Sequence, residues 1–152
     1  MNLSEILTED CIQLNLEATK KEEAVREMAR LAAQSGRISD VETLVDALEA
    51  REKLQTTGIG HALAIPHATT EVVRGMVLAM GISPGGVDYN AIDQQPVRLI
   101  FLLAGEPRMQ TSFLSVLSKI SRFFRKDSFR DEIIQAASPK EILAIIQARE
   151  EH

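Results

Sequence analysis

Hydrophobic residues recur at the helical period over two early stretches of the chain and later collect into short continuous runs. That switch predicts helices followed by buried strands. Val25, Met28, Ala29 and Ala32 mark the first helix, which opens on a Thr19/Glu22 capping box and closes at Gly36. Val41, Leu44, Val45 and Leu48 mark the second, opened by Ser39 and Glu42 and running to about Leu54. Ahead of both, Asn2 to Leu7 fits a short helical turn, and Cys11 to Leu16 alternates like a strand.

The next stretch, Thr56 to His67, reads as a glycine-rich turn, then a short apolar strand stopped by Pro66, with His67 just beyond it. Gly75 to Ile82 and Val97 to Ala104 are nearly all apolar, separated by a turn at Ser83-Pro-Gly-Gly86. Strands apolar on both sides are covered on both sides. The expected fold is therefore α/β, a mixed, largely parallel sheet sandwiched between helices. Three further helices follow: Thr111 to Phe124, with Phe113, Val116, Leu117, Ile120 and Phe124 on one face; Asp127 to Ala137; and one opened by Ser138, Pro139 and Glu141. With 152 residues the expectation is one domain spanning 1–152.

Composition narrows the classes of function. The net charge is -5, with 22 acidic against 17 basic residues spread along the chain and no basic stripe, so nucleic acid is not an expected partner. No apolar run is long enough to span a bilayer, and the acidic start lacks the features of a signal peptide, so no direct membrane insertion is expected. The single cysteine, Cys11, points to a reducing compartment such as a cytosol.

Of three histidines, His61 and His67 are candidates for chemistry, since His152 is the last residue. A neutral imidazole can accept a phosphoryl group without a strong base to activate it. Thr56, Thr57 and the amides of Gly58 and Gly60 stand ready in the preceding loop to receive phosphoryl oxygens, though a plain turn would use the same residues. Arg51, one turn before that loop, fits either a planar fork for a phosphoryl dianion or a helix-end residue paired with Asp46, Glu52 or the helix C-terminus. Asp93 reads as a turn residue ahead of the Val97 strand in preference to an acid that orients an imidazole. Histidines and carboxylates are too few and too scattered for a metal site, no phosphate-binding P-loop or nucleophile elbow is present, and no cofactor is expected.

Arg51-Glu-Lys, Thr57-Gly-Ile-Gly and Ala64-Ile-Pro-His67 together resemble the active-site signature of the IIA component of the bacterial phosphoenolpyruvate-dependent sugar phosphotransferase system, fructose and mannitol type. Ala91-Ile-Asp93-Gln-Gln-Pro-Val97 and the Leu117-Ser118 helix extend the resemblance over essentially the whole chain. The resemblance implies an α/β sandwich whose histidine accepts a phosphoryl group from the phosphorylated histidine carrier protein HPr and passes it to a IIB domain. It carries the phosphohistidine role onto His67 and phosphate stabilisation onto Arg51. A free-standing chain is also similar to the nitrogen-regulatory branch, fed by a paralogous carrier and acting on regulatory protein targets.

Two departures stand out. A second family histidine is expected at the start of the Thr111 helix, where this chain has Phe113; and His61-Ala62 replaces the usual asparagine and glycine. His61 is therefore a candidate auxiliary imidazole, with a loop substitution as the plainer reading. Ile59, Leu63 and Phe113 are the expected apolar patch for carrier docking.

Overall fold

In the computed structural model, which describes residues 1–151, a six-stranded sheet has helices on both faces. The helices are α1 (Leu3–Ile6), α2 (Lys21–Ala32), α3 (Val41–Leu54), α4 (Gln110–Phe124), α5 (Asp127–Ile134) and α6 (Pro139–Glu150). The strands are β1 (Leu7–Gln13), β2 (Gly58–Gly60), β3 (Leu63–Ala64), β4 (His67–Thr69), β5 (Met76–Val87) and β6 (Val97–Gly105). Strand order is β1-β5-β6-β3-β2, with β4 also on β6. The sheet is mixed. β1 with β5, and β3 and β4 with β6, are parallel, whereas β5 with β6 and β2 with β3 are antiparallel.

Alternation along the central strands explains the two layers. Val77, Ala79, Ile100, Leu102 and Ala104 join a core with Val25, Met28, Leu44 and Leu48, and so pack under α2 and α3. Met76, Leu78, Met80, Leu99, Phe101 and Leu103 face the other way, toward Phe113, Ile120, Phe129, Ile142 and Ile146 of α4 to α6. A strand places successive side chains on opposite faces, so a continuous apolar run serves two cores at once. Each large side chain so buried contributes about 1.5–3 kcal/mol.

Several boundaries differ from the expectation. β1 begins at Leu7 rather than Cys11: its ladder runs from Leu7 opposite Leu78 to Ile12 opposite Met80, with an irregularity that accommodates the polar residues between them. Thr8, Glu9 and Asp10 are exposed in that irregularity, between the paired Leu7 and Ile12, so no apolar alternation marks this part of the strand. Neither early capping box forms as expected. The N-cap of α2 is Lys20, with no side-chain cap, because the Lys21 amide donates to the Asp88 carbonyl at 3.1 Å. The N-cap of α3 is Asp40, whose carboxylate takes the Thr43 amide at 3.2 Å, while Ser39 is bound to the Val72 carbonyl. Ser83 to Gly86 is a bulged part of β5 rather than a turn, and α5 stops at Ile134. The Ser138 cap forms as read, its hydroxyl accepting from the Glu141 amide at 3.1 Å.

Candidate active site

Pro66 decides where His67 sits. β3 lies beside β6 at Leu63 opposite Leu99 and Ala64 opposite Ile100, and β4 resumes on the same edge at His67 opposite Leu103. Proline has no amide hydrogen to donate, so the strand breaks there. The Pro66 carbonyl still accepts from the Leu103 amide at 3.0 Å and keeps the register. The glycine loop before it folds back as a small hairpin. Gly60, His61 and Ala62 all have positive φ (91°, 57° and 60°), and β2 pairs antiparallel with β3. Gly58 must be glycine, since a Cβ there would lie 2.8 Å from the backbone and side chain of Ala91.

His67 is half-buried at the floor of a cleft of about 360 Å³, lined by Arg51, Gln55, Thr56, Thr57, Ile59 and Ile92 on one side and by Leu117, Ser118 and Ser121 of α4 on the other. A larger cleft of about 610 Å³ lies between the 36–39, 71–74 and 106–108 segments. Its lining includes arginines, glutamates and Ser39 but no histidine.

The imidazole is held in one tautomer. Its Nδ1 lies 2.8 Å from the Ile65 carbonyl oxygen. A carbonyl only accepts, so Nδ1 carries the hydrogen and Nε2 keeps its lone pair. Burial, and to a lesser degree the Arg51 charge, push the imidazole below its ordinary pKa of 6.5, against the opposing pull of the Ile65 carbonyl and Glu52. The ring is therefore neutral and nucleophilic at neutral pH. Proton uptake opposes that state, so reactivity of Nε2 as a nucleophile should stay level as pH falls through 6.5 and decline only below it. The stability contribution has the same sign. An unfolded chain takes up the proton first, so folding stability drops as pH falls below 6.5, and urea titrations of wild type and His67→Gln at several pH values would measure that difference.

Around His67 the expected residues separate by role. Arg51 donates one N–H from Nη1 to the Gln55 carbonyl at 2.9 Å, which leaves the rest of its fork free at the cleft. The contact is the helix-end pairing with the C-terminus of α3. Thr56 also lines the cleft. Thr57 is 3% exposed, and its hydroxyl donates to Glu52 and lies 2.9 Å from the Tyr89 phenol. Gly58 and Gly60 are buried in β2.

His61 is exposed in the β2–β3 turn and is not among the residues lining the His67 cleft. Asp93 is a turn residue, accepting from the Gln95 amide at 3.1 Å. Phe113 occupies the flank of His67, with ring centroids 5.9 Å apart and planes inclined by 58°. At 4% exposure it belongs to the core under α4, and Leu63 is 1% exposed beneath β3, so neither forms a docking patch. Ile59 is half-buried. Of the exposed large apolar side chains, Ile92 (59%) lines the cleft, whereas Leu114 of α4 (58%) and Leu54 at the end of α3 (81%) do not.

Motif reading missed the support beneath the loop. Glu52 accepts from the Thr57 amide at 3.0 Å and from the Tyr89 hydroxyl at 3.3 Å, and pairs with Lys21 Nζ at 2.8 Å. Burial, reinforced by the Glu52 charge, raises the Tyr89 phenol far above its usual pKa and keeps its proton in place. These four side chains come from α2, α3, the loop and the segment after β5. No local pattern links them.

Residues 5–149 match the family model of the phosphoenolpyruvate-dependent sugar phosphotransferase system, EIIA 2. The chain belongs to that family. Among relatives of this EIIA chain, the fructose-specific EIIABC component of Bacillus subtilis is 35% identical over 146 residues, covering 96% of the chain but 23% of that larger protein. A fructose-specific EIIA component of Haloferax volcanii is 30% identical, with 95% of this chain and 94% of that one aligned. The crystal structure of the nitrogen regulatory protein IIA-Ntr of Neisseria meningitidis superposes with a TM-score of 0.87 at 32% identity, over 95% of this chain and 98% of that one. Among the described residues no helix is long and apolar enough to cross a membrane.

Proposed function

We propose that residues 1–152 form one EIIA phosphoryl carrier in which His67 accepts a phosphoryl group from a phosphorylated histidine carrier protein and passes it to a IIB domain or a regulatory target. The observation that carries this reading is the Nδ1 contact to the Ile65 carbonyl, which holds Nε2 unprotonated at a cleft shared with Arg51. In the transfer a new P–N bond forms at Nε2 while the carrier's P–N bond breaks, its electron pair returning to the carrier's imidazole. Positive charge that develops on the His67 ring is stabilised through Nδ1–H by the Ile65 carbonyl, and Arg51 faces the equatorial phosphoryl oxygens. Ile92 gives the approaching partner apolar footing.

Incubation with phosphoenolpyruvate, enzyme I and the carrier should yield an acid-labile, alkali-stable adduct that maps to His67. Failure with every carrier of the host, beside a reacting control EIIA, would overturn the proposal. Phe113 against His67 favours a second reading, a regulatory module that docks partners but transfers phosphate poorly. Under it, His67→Ala would leave partner binding and phenotype unchanged.

A further inference from the structure

The two threonines beside the cleft are wired in opposite senses. A threonine hydroxyl has one hydrogen to donate and two lone pairs that accept. At Thr57 the hydrogen is committed to the Glu52 carboxylate, which can only accept. At Thr56 both lone pairs are occupied instead: Lys21 Nζ donates to Oγ1 from 3.1 Å and the Gly58 amide from 3.2 Å. The Thr56 hydroxyl hydrogen has no protein acceptor among the described residues, and Thr56 lines the cleft with His67 and Arg51.

We infer that Thr56 is the hydroxyl that donates to the phosphoryl group at His67, and that Lys21 is a positioning residue that aims and polarises it from behind. Lys21 does not line the cleft. Its ammonium is held 2.8 Å from Glu52 Oε1 and 4.9 Å from the centre of the Tyr89 ring, with 16% of the side chain exposed. A hydroxyl that accepts from a cation becomes a stronger donor, because hydrogen bonds in a chain polarise one another. Lys21 thereby conveys positive charge to the phosphoryl oxygens at one remove, and Thr57 with Glu52 and Tyr89 keeps the loop rigid.

The inference rests on His67 as acceptor, and the adduct on the wild-type protein tests that separately. Single-turnover transfer from phosphorylated carrier would be measured for Thr56→Val, Thr56→Ser, Lys21→Met and the double variant Lys21→Met/Thr56→Val. Loss of one neutral oriented donor predicts about a 100-fold slower first-order transfer in Thr56→Val, the low end of the range for such donors, with the half-saturating carrier concentration unchanged and near-wild-type transfer in Thr56→Ser. Lys21→Met should slow transfer severalfold alone and add nothing in the Thr56→Val background, because it acts through that hydroxyl.

If circular dichroism shows Lys21→Met unfolded, Lys21→Arg keeps the charge opposite Glu52 while changing the donor geometry, and takes its place in the cycle. Wild-type transfer in Thr56→Val overturns the inference. So does an equal slowing by the Lys21 substitution with and without the Thr56 hydroxyl. A wild-type protein that forms no adduct on His67 overturns the underlying proposal and this inference together.

Discussion

His67→Gln is expected to abolish phosphoryl acceptance, lowering transfer by at least about 10⁴-fold, as removal of a nucleophile does elsewhere. Glutamine keeps a polar group of similar reach but offers no basic nitrogen to phosphorus. No neighbouring group can substitute. The aromatic ring beside His67 is Phe113, and His61 lies outside the cleft. Fold stability should change little at neutral pH, because the half-buried ring makes one hydrogen bond, to Ile65. The check is a rapid-quench assay with labelled carrier, beside a thermal melt to confirm folding. A variant that still forms an alkali-stable adduct would place the phosphoryl acceptor elsewhere.

Arg51→Ala has the next largest expected effect, a fall of about 10²–10³-fold in transfer rate, the range for losing one oriented electrostatic donor in an active site. It differs from the histidine variant in two ways. Some transfer survives because the nucleophile remains, and the acid limb of the pH profile moves. The Arg51 charge lowers the His67 pKa; without it the imidazole protonates more readily, so activity should begin to fall at a higher pH than in the wild type. Arg51→Lys should recover only part of the rate. An ammonium keeps the charge but cannot hold the Gln55 carbonyl and two phosphoryl oxygens in one plane. Rate–pH profiles of the three proteins separate a charge effect from a geometric one. Superposable profiles would argue against Arg51 facing the reacting centre.

Phe113 shows how a family expectation and a core position coincide. The helical period already places it with Val116, Ile120 and Phe124 on one apolar face, and all four are buried under α4. Its ring also abuts His67, since β4 and α4 meet on that side of the sheet. An apolar neighbour contributes no donor or acceptor. It helps keep the imidazole partly dry and thus in its neutral form, in line with burial as the first cause of the lowered His67 pKa.

The sequence by itself determined the layered α/β class, the two long helices before the site, the continuous apolar strands and the Pro-His junction. These are written in local periods and in the backbone limits of single residues, and they survive whatever packs against them. The roles of Arg51 and His67 were legible only through the family resemblance of their short piece of chain, since period and spacing left Arg51 open between two readings. Tertiary structure alone decided what depends on partners distant in sequence. Asp88 replaced the Thr19 cap, Val72 drew Ser39 away from its own helix, and β5 pairing carried the strand through Ser83 to Gly86. Within the site it decided which threonine keeps a free hydrogen. Lys21 and Tyr89 lie 35 residues before Thr56 and 32 after Thr57, so only folding brings them to the loop. Hydrogen-bond direction at such a junction depends on which groups meet there, and no period along the chain encodes it.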